Sequence, residues 1–125
     1  MRKWMQNGRN PMTSHHFRLL FSLNLIFIII ASLVPSSMPS VWHLDKVGHF
    51  AAYGSLFALA LFAFQATKTR ISIFFLAVGL GIMLEWLQSF VPGRDMSILD
   101  AITNTVGLIF GLIFYLLLNK NVRSV

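Results

Sequence analysis

Long apolar stretches alternate with short polar interruptions along the whole chain. Mostly apolar runs span 17–34, 46–66, 71–90 and 98–118. Each is close to the length of about 20 residues that carries an α-helix across a hydrocarbon core roughly 30 Å thick. The breaks between them are marked by "PSSMPS", "TKTR" and Pro92-Gly93, and "NKN" follows the last run. Proline, glycine and clustered polar residues are stop signals for a helix. The pattern therefore predicts four transmembrane helices at 17–34, 46–66, 71–90 and 98–118, joined by short connections that make neighbours antiparallel. Residues 1–16 read as a loosely held tail, 17–118 as the membrane domain and 119–125 as a second tail.

Composition supports this reading. Of 125 residues, 56% are hydrophobic and only 11% charged, too apolar for an ordinary soluble domain and too short for a second one. The expected fold is all-α: an antiparallel bundle of four membrane-spanning helices. The net charge of +6 raises the question of nucleic acid, but placement answers it. Arg2, Lys3, Arg9, Arg18, Lys68, Arg70, Lys120 and Arg123 fall in three segments that share one side of a four-span chain, whereas the other side receives Lys46 and Arg94. Positive residues concentrate on the cytoplasmic side, so both termini are expected in the cytoplasm. The spans interrupt the basic residues and no aromatic platform accompanies them, so no nucleic-acid partner is expected. A basic start followed by an apolar run also resembles a cleavable signal peptide, with "SSMPS" offering small residues. The run "LLFSLNLIFIIIASLV" nevertheless exceeds a usual signal core of about 7 to 15 residues. Having no cysteine, the chain has no disulfide, thiolate metal site or thiol nucleophile.

Three of the four acidic residues lie within "EWLQSFVPGRDMSILDAITN", and the antiparallel layout brings that stretch to the same membrane surface as the start of the second helix. On the second helix Asp45, His49 and Tyr53 are spaced four apart and share a face, with Asp45 also a candidate N-cap. On the third, Glu85 and Gln88 share a face. A charge deep in a span costs about 2.5 to 3.5 kcal/mol, so Glu85 is expected to pair with Arg94 or His49, to hold a proton, or to face water. Pro92-Gly93 suits the centre of a type II turn. Arg94 after it offers a two-pronged grip for a carboxylate or phosphate, or a salt bridge to Asp95 or Asp100. Ser97 and Asp100 have capping-box spacing at the start of the fourth helix. Asn104 continues the face of Asp100, and Gly107 and Gly111 form a seam for close helix approach, within the bundle or between two copies of the chain. The fourth helix is expected to pack inside the bundle. His49, Tyr53, Glu85, Gln88, Asp100 and Asn104 thus come from three helices at similar depth, predicting an outward-facing polar pocket.

"DKVGHFAAYG", "EWLQSFVPGR" and "SILDAITNTVG" together resemble the VanZ-like family. Its pattern runs roughly D-K-x-x-H-F-x-x-Y-G, then E-x-x-Q-x-F-x-P-G-R, then S-x-x-D-x-x-x-N-x-x-G. The pattern falls on Asp45, Lys46, His49, Tyr53, Glu85, Gln88, Arg94, Asp100 and Asn104, and on Gly54, Gly93 and Gly107. Met96 stands where a smaller residue is expected. The resemblance implies a small multi-pass protein of the bacterial cytoplasmic membrane, from a family named for a teicoplanin-resistance protein and found near cell-envelope and surface-polysaccharide genes.

Three functions compete on these residues. The first is binding of an anionic membrane lipid or lipid-linked envelope precursor, with Lys46 and Arg94 holding the anion and Asp45, Tyr53, Gln88, Asp100 and Asn104 lining the site. The second is a membrane hydrolase or transferase with Glu85 as general base, His49 as its acid partner or a metal ligand, and Arg94 as the anion clamp. No serine stands in a nucleophile motif and no metal spacing such as H-E-x-x-H occurs, so no metal or cofactor is expected. The third is a structural accessory subunit whose polar cluster fixes helix register.

Overall fold

A computed structural model describes residues 11–35 and 42–123. Among these the chain forms four helices and no strand: α1 (Pro11–Leu33), α2 (Trp42–Ala63), α3 (Thr67–Gln88) and α4 (Ile98–Arg123). Each is long and apolar enough to cross a membrane. The lipid-facing sides carry Leu19, Phe27, Phe75, Leu76, Phe110 and Leu116, all exposed. That is the expected state of apolar residues whose solvent is the bilayer.

The helices differ from the predicted runs mostly at their ends. α1 begins at Pro11, α2 at Trp42 and α3 at Thr67, and α4 continues to Arg123. Hydropathy marks where lipid begins, whereas a helix can extend by a turn or more into the polar boundary. Thus "TKTR" is the first turn of α3, residues 11–16 belong to α1, and Asp45 lies in the first turn of α2 rather than at its N-cap. Residues 1–10 and most of "PSSMPS" lie outside the described residues.

The central helix is α2, not α4 as the sequence suggested. It packs against all three others, most extensively against α4, and contributes Tyr53, Leu56, Phe57, Ala60 and Leu61 to a core completed by Ile28, Ala77, Leu84, Leu108 and Tyr115. Small residues on several faces of α2 allow this crowding. Gly54 meets Gly107: a Cβ on Gly54 would lie 3.2 Å from the Gly107 carbonyl oxygen, and one on Gly107 would lie 2.6 Å from that of Phe50. The Gly107–Gly111 seam is therefore filled by α2 within the chain, and a dimer using the same seam would have to displace it.

At the end of the bundle away from the polar cluster, arginines bind the last carbonyls of α2. Arg70 Nε donates to Phe64 O and its Nη2 to Leu61 O, both at 2.7 Å, and Nη2 also donates to the Tyr115 hydroxyl at 3.0 Å. Arg18 Nε donates to Ala63 O at 3.4 Å. The Arg70 guanidinium also lies over the Tyr115 ring, 5.1 Å from its centroid, and so ties α4 to the α2–α3 connection. Hydrogen bonds from a charged donor contribute about 1.5 to 3 kcal/mol. Arg70→Met should cost roughly one such bond or more and lower the midpoint of SDS-induced unfolding followed by circular dichroism. Unchanged unfolding would show that these carbonyls are equally well served by water.

Candidate functional site

The opposite end brings together the C-termini of α1 and α3 and the N-termini of α2 and α4. The connection from α3 to α4 is the predicted type II turn: Gly93 has φ 76° and Arg94 N–H donates to Val91 O at 3.1 Å. Glycine suits this position because an L side chain resists positive φ.

Beyond the turn, the N-terminus of α4 is capped by two side chains. Ser97 Oγ accepts the Asp100 N–H at 3.2 Å, the first half of a capping box. The second half comes from another helix: Ser97 N–H donates to Glu85 Oε2 at 3.1 Å, so Glu85 of α3 takes the place expected for Asp100. Asp100 is thereby left for Lys46 of α2, whose Nζ lies 2.5 Å from Asp100 Oδ1. One acid anchors α3 to α4, and the other anchors α2 to α4.

His49 lies among these groups. Its Nδ1 is 2.9 Å from Asn104 Oδ1 and 4.0 Å from Glu85 Oε1. An amide oxygen can only accept, so Nδ1 carries the hydrogen in that bond. Nε2 then faces Asp45 Oδ1 at 3.8 Å and Asp100 Oδ2 at 3.9 Å. Glu85 is 1% exposed, and its Oε1 has no hydrogen-bond partner. Its carboxyl group meets the α4 N-terminus and lies beside His49, not Arg94.

Arg94 stands apart from the acids. Its Nε donates to Val34 O and its Nη2 to Ala31 O, both at 2.8 Å. The sequence reading expected this guanidinium to hold an anion or to pair with Asp95 or Asp100. Instead it covers the last carbonyls of α1, because a two-pronged donor fits a helix C-terminus as well as it fits a carboxylate.

A cavity of about 230 Å³ opens between α1 and α2 at this end. Phe27, Ile28, Ala31, Leu44 and Ala52 form its apolar wall, and Ser32, Asp45, His49, Tyr53, Gln88 and Arg94 supply polar groups. Gln88 is buried and its Nε2 has no hydrogen-bond partner among the described residues. Glu85 and Met96 border a different, almost wholly apolar hollow beside α4. The predicted residues therefore divide into two groups: Asp45, His49, Tyr53, Gln88 and Arg94 at the cavity, and Lys46, Glu85, Asp100 and Asn104 packed behind it. Gly81 lets Asn104 and the Tyr53 ring approach α3, since a Cβ there would lie 3.3 Å from Asn104 Nδ2. Sequence reasoning missed Ser32, one of three serines in α1, which carries no distinguishing signal. It expected Asp45, His49 and Asp100 in one pocket but did not read them as a ligand set; each offers a ligand atom within 4.8 Å of the others. No linear motif reveals that set, because it joins two helices.

No curated protein and no solved structure matched the chain. A family model did: VanZ/LLP1, over residues 2–119. That match spans all four helices but the last few residues of α4 and covers every motif around His49, Glu85 and Asn104, and the chain belongs to the VanZ/LLP1 family.

Proposed function

We propose that the chain binds an anionic lipid, or a lipid-linked envelope precursor, in the cavity between α1 and α2. The observation that carries this reading is the cavity's mixed lining, apolar side chains beside polar ones, with the unpartnered amide of Gln88 among the latter. An acyl chain would lie against Phe27, Ile28 and Ala52, and a headgroup would meet Gln88, Tyr53 and the remaining guanidinium N–H groups of Arg94. Arg18, Lys68, Arg70 and Lys120 stand at the opposite end of the bundle. By the positive-inside rule they would put the termini in the cytoplasm and the cavity in the outer leaflet. Such a role fits a part in envelope biogenesis or glycopeptide resistance, with altered surface composition as the immediate effect.

The hydrolase or transferase reading has less support. His49 Nδ1 is engaged by Asn104, and Glu85 borders a different hollow from His49. An accessory role has the ion pair and caps in its favour, but it gives the cavity no use. The test is lipid retention. Native mass spectrometry of the purified chain should show phosphatidylglycerol held in preference to phosphatidylcholine. Gln88→Leu, which removes a hydrogen bond to a charged group, should weaken retention about ten-fold or more. Equal retention of both lipids, unchanged by the substitution, would remove the proposal.

A further inference from the structure

Behind the cavity's polar lining, carboxylates crowd around His49. Asp45, Glu85 and Asp100 surround His49, and Lys46 is the ammonium set against them. The tautomer sharpens the problem. With the Nδ1 hydrogen given to Asn104 Oδ1, the neutral imidazole presents its Nε2 lone pair to two carboxylate oxygens, at 3.8 and 3.9 Å. Three acceptors facing one another repel unless a proton or a metal ion lies between them, and at these distances a proton would make no direct hydrogen bond to either carboxylate. A histidine whose far nitrogen donates to an oxygen while its near nitrogen faces carboxylates has the arrangement common around protein-bound metals.

We propose that Asp45, His49 and Asp100 hold one first-row divalent cation, of the Zn²⁺ or Mn²⁺ class. Imidazole with carboxylates suits these ions. Ligand bonds of about 2.0 to 2.2 Å in tetrahedral geometry put the donor atoms about 3.4 Å apart, so each carboxylate oxygen needs to close on His49 Nε2 by roughly half an ångström, and the two oxygens, within 4.8 Å of each other, by up to about 1.4 Å. Asn104 is a positioning residue that fixes the His49 tautomer, and Lys46 steadies the other oxygen of Asp100. Asp45 and His49 also line the cavity, so the ion's open positions face it and take a phosphate oxygen of the bound lipid. This last step rests on the lipid-binding reading; the ion site itself does not.

The experiment uses the full chain in nanodiscs, with any purification tag removed, stripped with EDTA and then dialysed against Zn²⁺ or Mn²⁺. Mass-spectrometric metal analysis should find about one ion per chain. The spin-echo spectrum of the Mn²⁺ form should show coupling to a ¹⁴N nucleus that disappears in His49→Gln. Asp45→Asn should abolish retention, and Asn104→Leu should weaken it about 10- to 100-fold. Because the spin-echo measurement on the unaltered protein needs no variant to fold, it decides the matter by itself: no retained ion, or Mn²⁺ without ¹⁴N coupling, overturns the site. Phosphatidylglycerol retention that is the same with and without the ion overturns the phosphate bridge and leaves the cavity reading standing. An ion retained with no lipid in either state would do the reverse.

Discussion

Gly111→Ala should lower the unfolding free energy by about 3 kcal/mol or more, at the upper end of what overpacking costs. A Cβ on Gly111 would run into the carbonyl oxygen of Gly54 and lie 3.2 Å from the Ala58 nitrogen. Both are backbone atoms of α2, so no rotamer change makes room and the two helices must move apart. They form the most extensive interface of the bundle, and without a hydrophobic drive between spans its stability comes mainly from close packing. Gly107→Ala should act in the same direction, since its Cβ would meet Phe50. Gly79 supplies the control: a Cβ there has nothing within 4 Å, so Gly79→Ala should be neutral or slightly stabilising. Steric trapping in bicelles measures all three. Equal stability of Gly111→Ala and Gly79→Ala would show that α2 and α4 do not approach as described.

Lys46→Met should cost about 3 to 5 kcal/mol when measured in EDTA, the usual penalty for leaving one member of a buried ion pair alone. The carboxylate left behind is the deeper partner, with a side chain 9% exposed against 20% for Lys46. Asp100→Asn should cost less, because a lysine stem can carry its ammonium toward water while a short carboxylate has no such route. Converting both residues, as Lys46→Met with Asp100→Leu, should recover most of the loss, since a well-packed apolar pair is often as stable as the ion pair it replaces. A double-mutant cycle on the same unfolding assay gives the coupling directly. If the two losses simply add, the contact contributes nothing of its own. A divalent ion bound by Asp100 would reduce the Lys46→Met deficit, so repeating the cycle in Zn²⁺ separates the contributions of ammonium and metal.

The apolar runs made the four helices legible, because crossing lipid demands a continuous stretch of apolar residues that leaves its mark on composition. The type II turn at Pro92-Gly93 and the Ser97 cap were equally legible, each resting on neighbouring residues whose geometry is local. Pairings between helices were not. Glu85 and Asp100 both stand where a capping carboxylate fits, and only the packing of α3 against α4 assigns that place to Glu85 and leaves Asp100 to Lys46. Arg94 illustrates the same limit. Its side chain offers one donor geometry, and nothing in "VPGRDM" says whether a phosphate or the carbonyls of Ala31 and Val34 will meet it. The centrality of α2 was hidden for a different reason. The glycines of α4 advertise close approach, but the alanines and Gly54 of α2 that receive them look like ordinary residues of a membrane helix.

The grip of Arg94 on α1 also sets an order of events during synthesis. Ala31 and Val34 leave the ribosome 63 and 60 residues ahead of the arginine that binds their carbonyls, so α1 enters the bilayer before its clasp exists. Until α3 has been inserted and the following turn has emerged, water at the interface must occupy those oxygens. Nascent chains arrested short of residue 94 should therefore carry a first helix still unfastened at its far end.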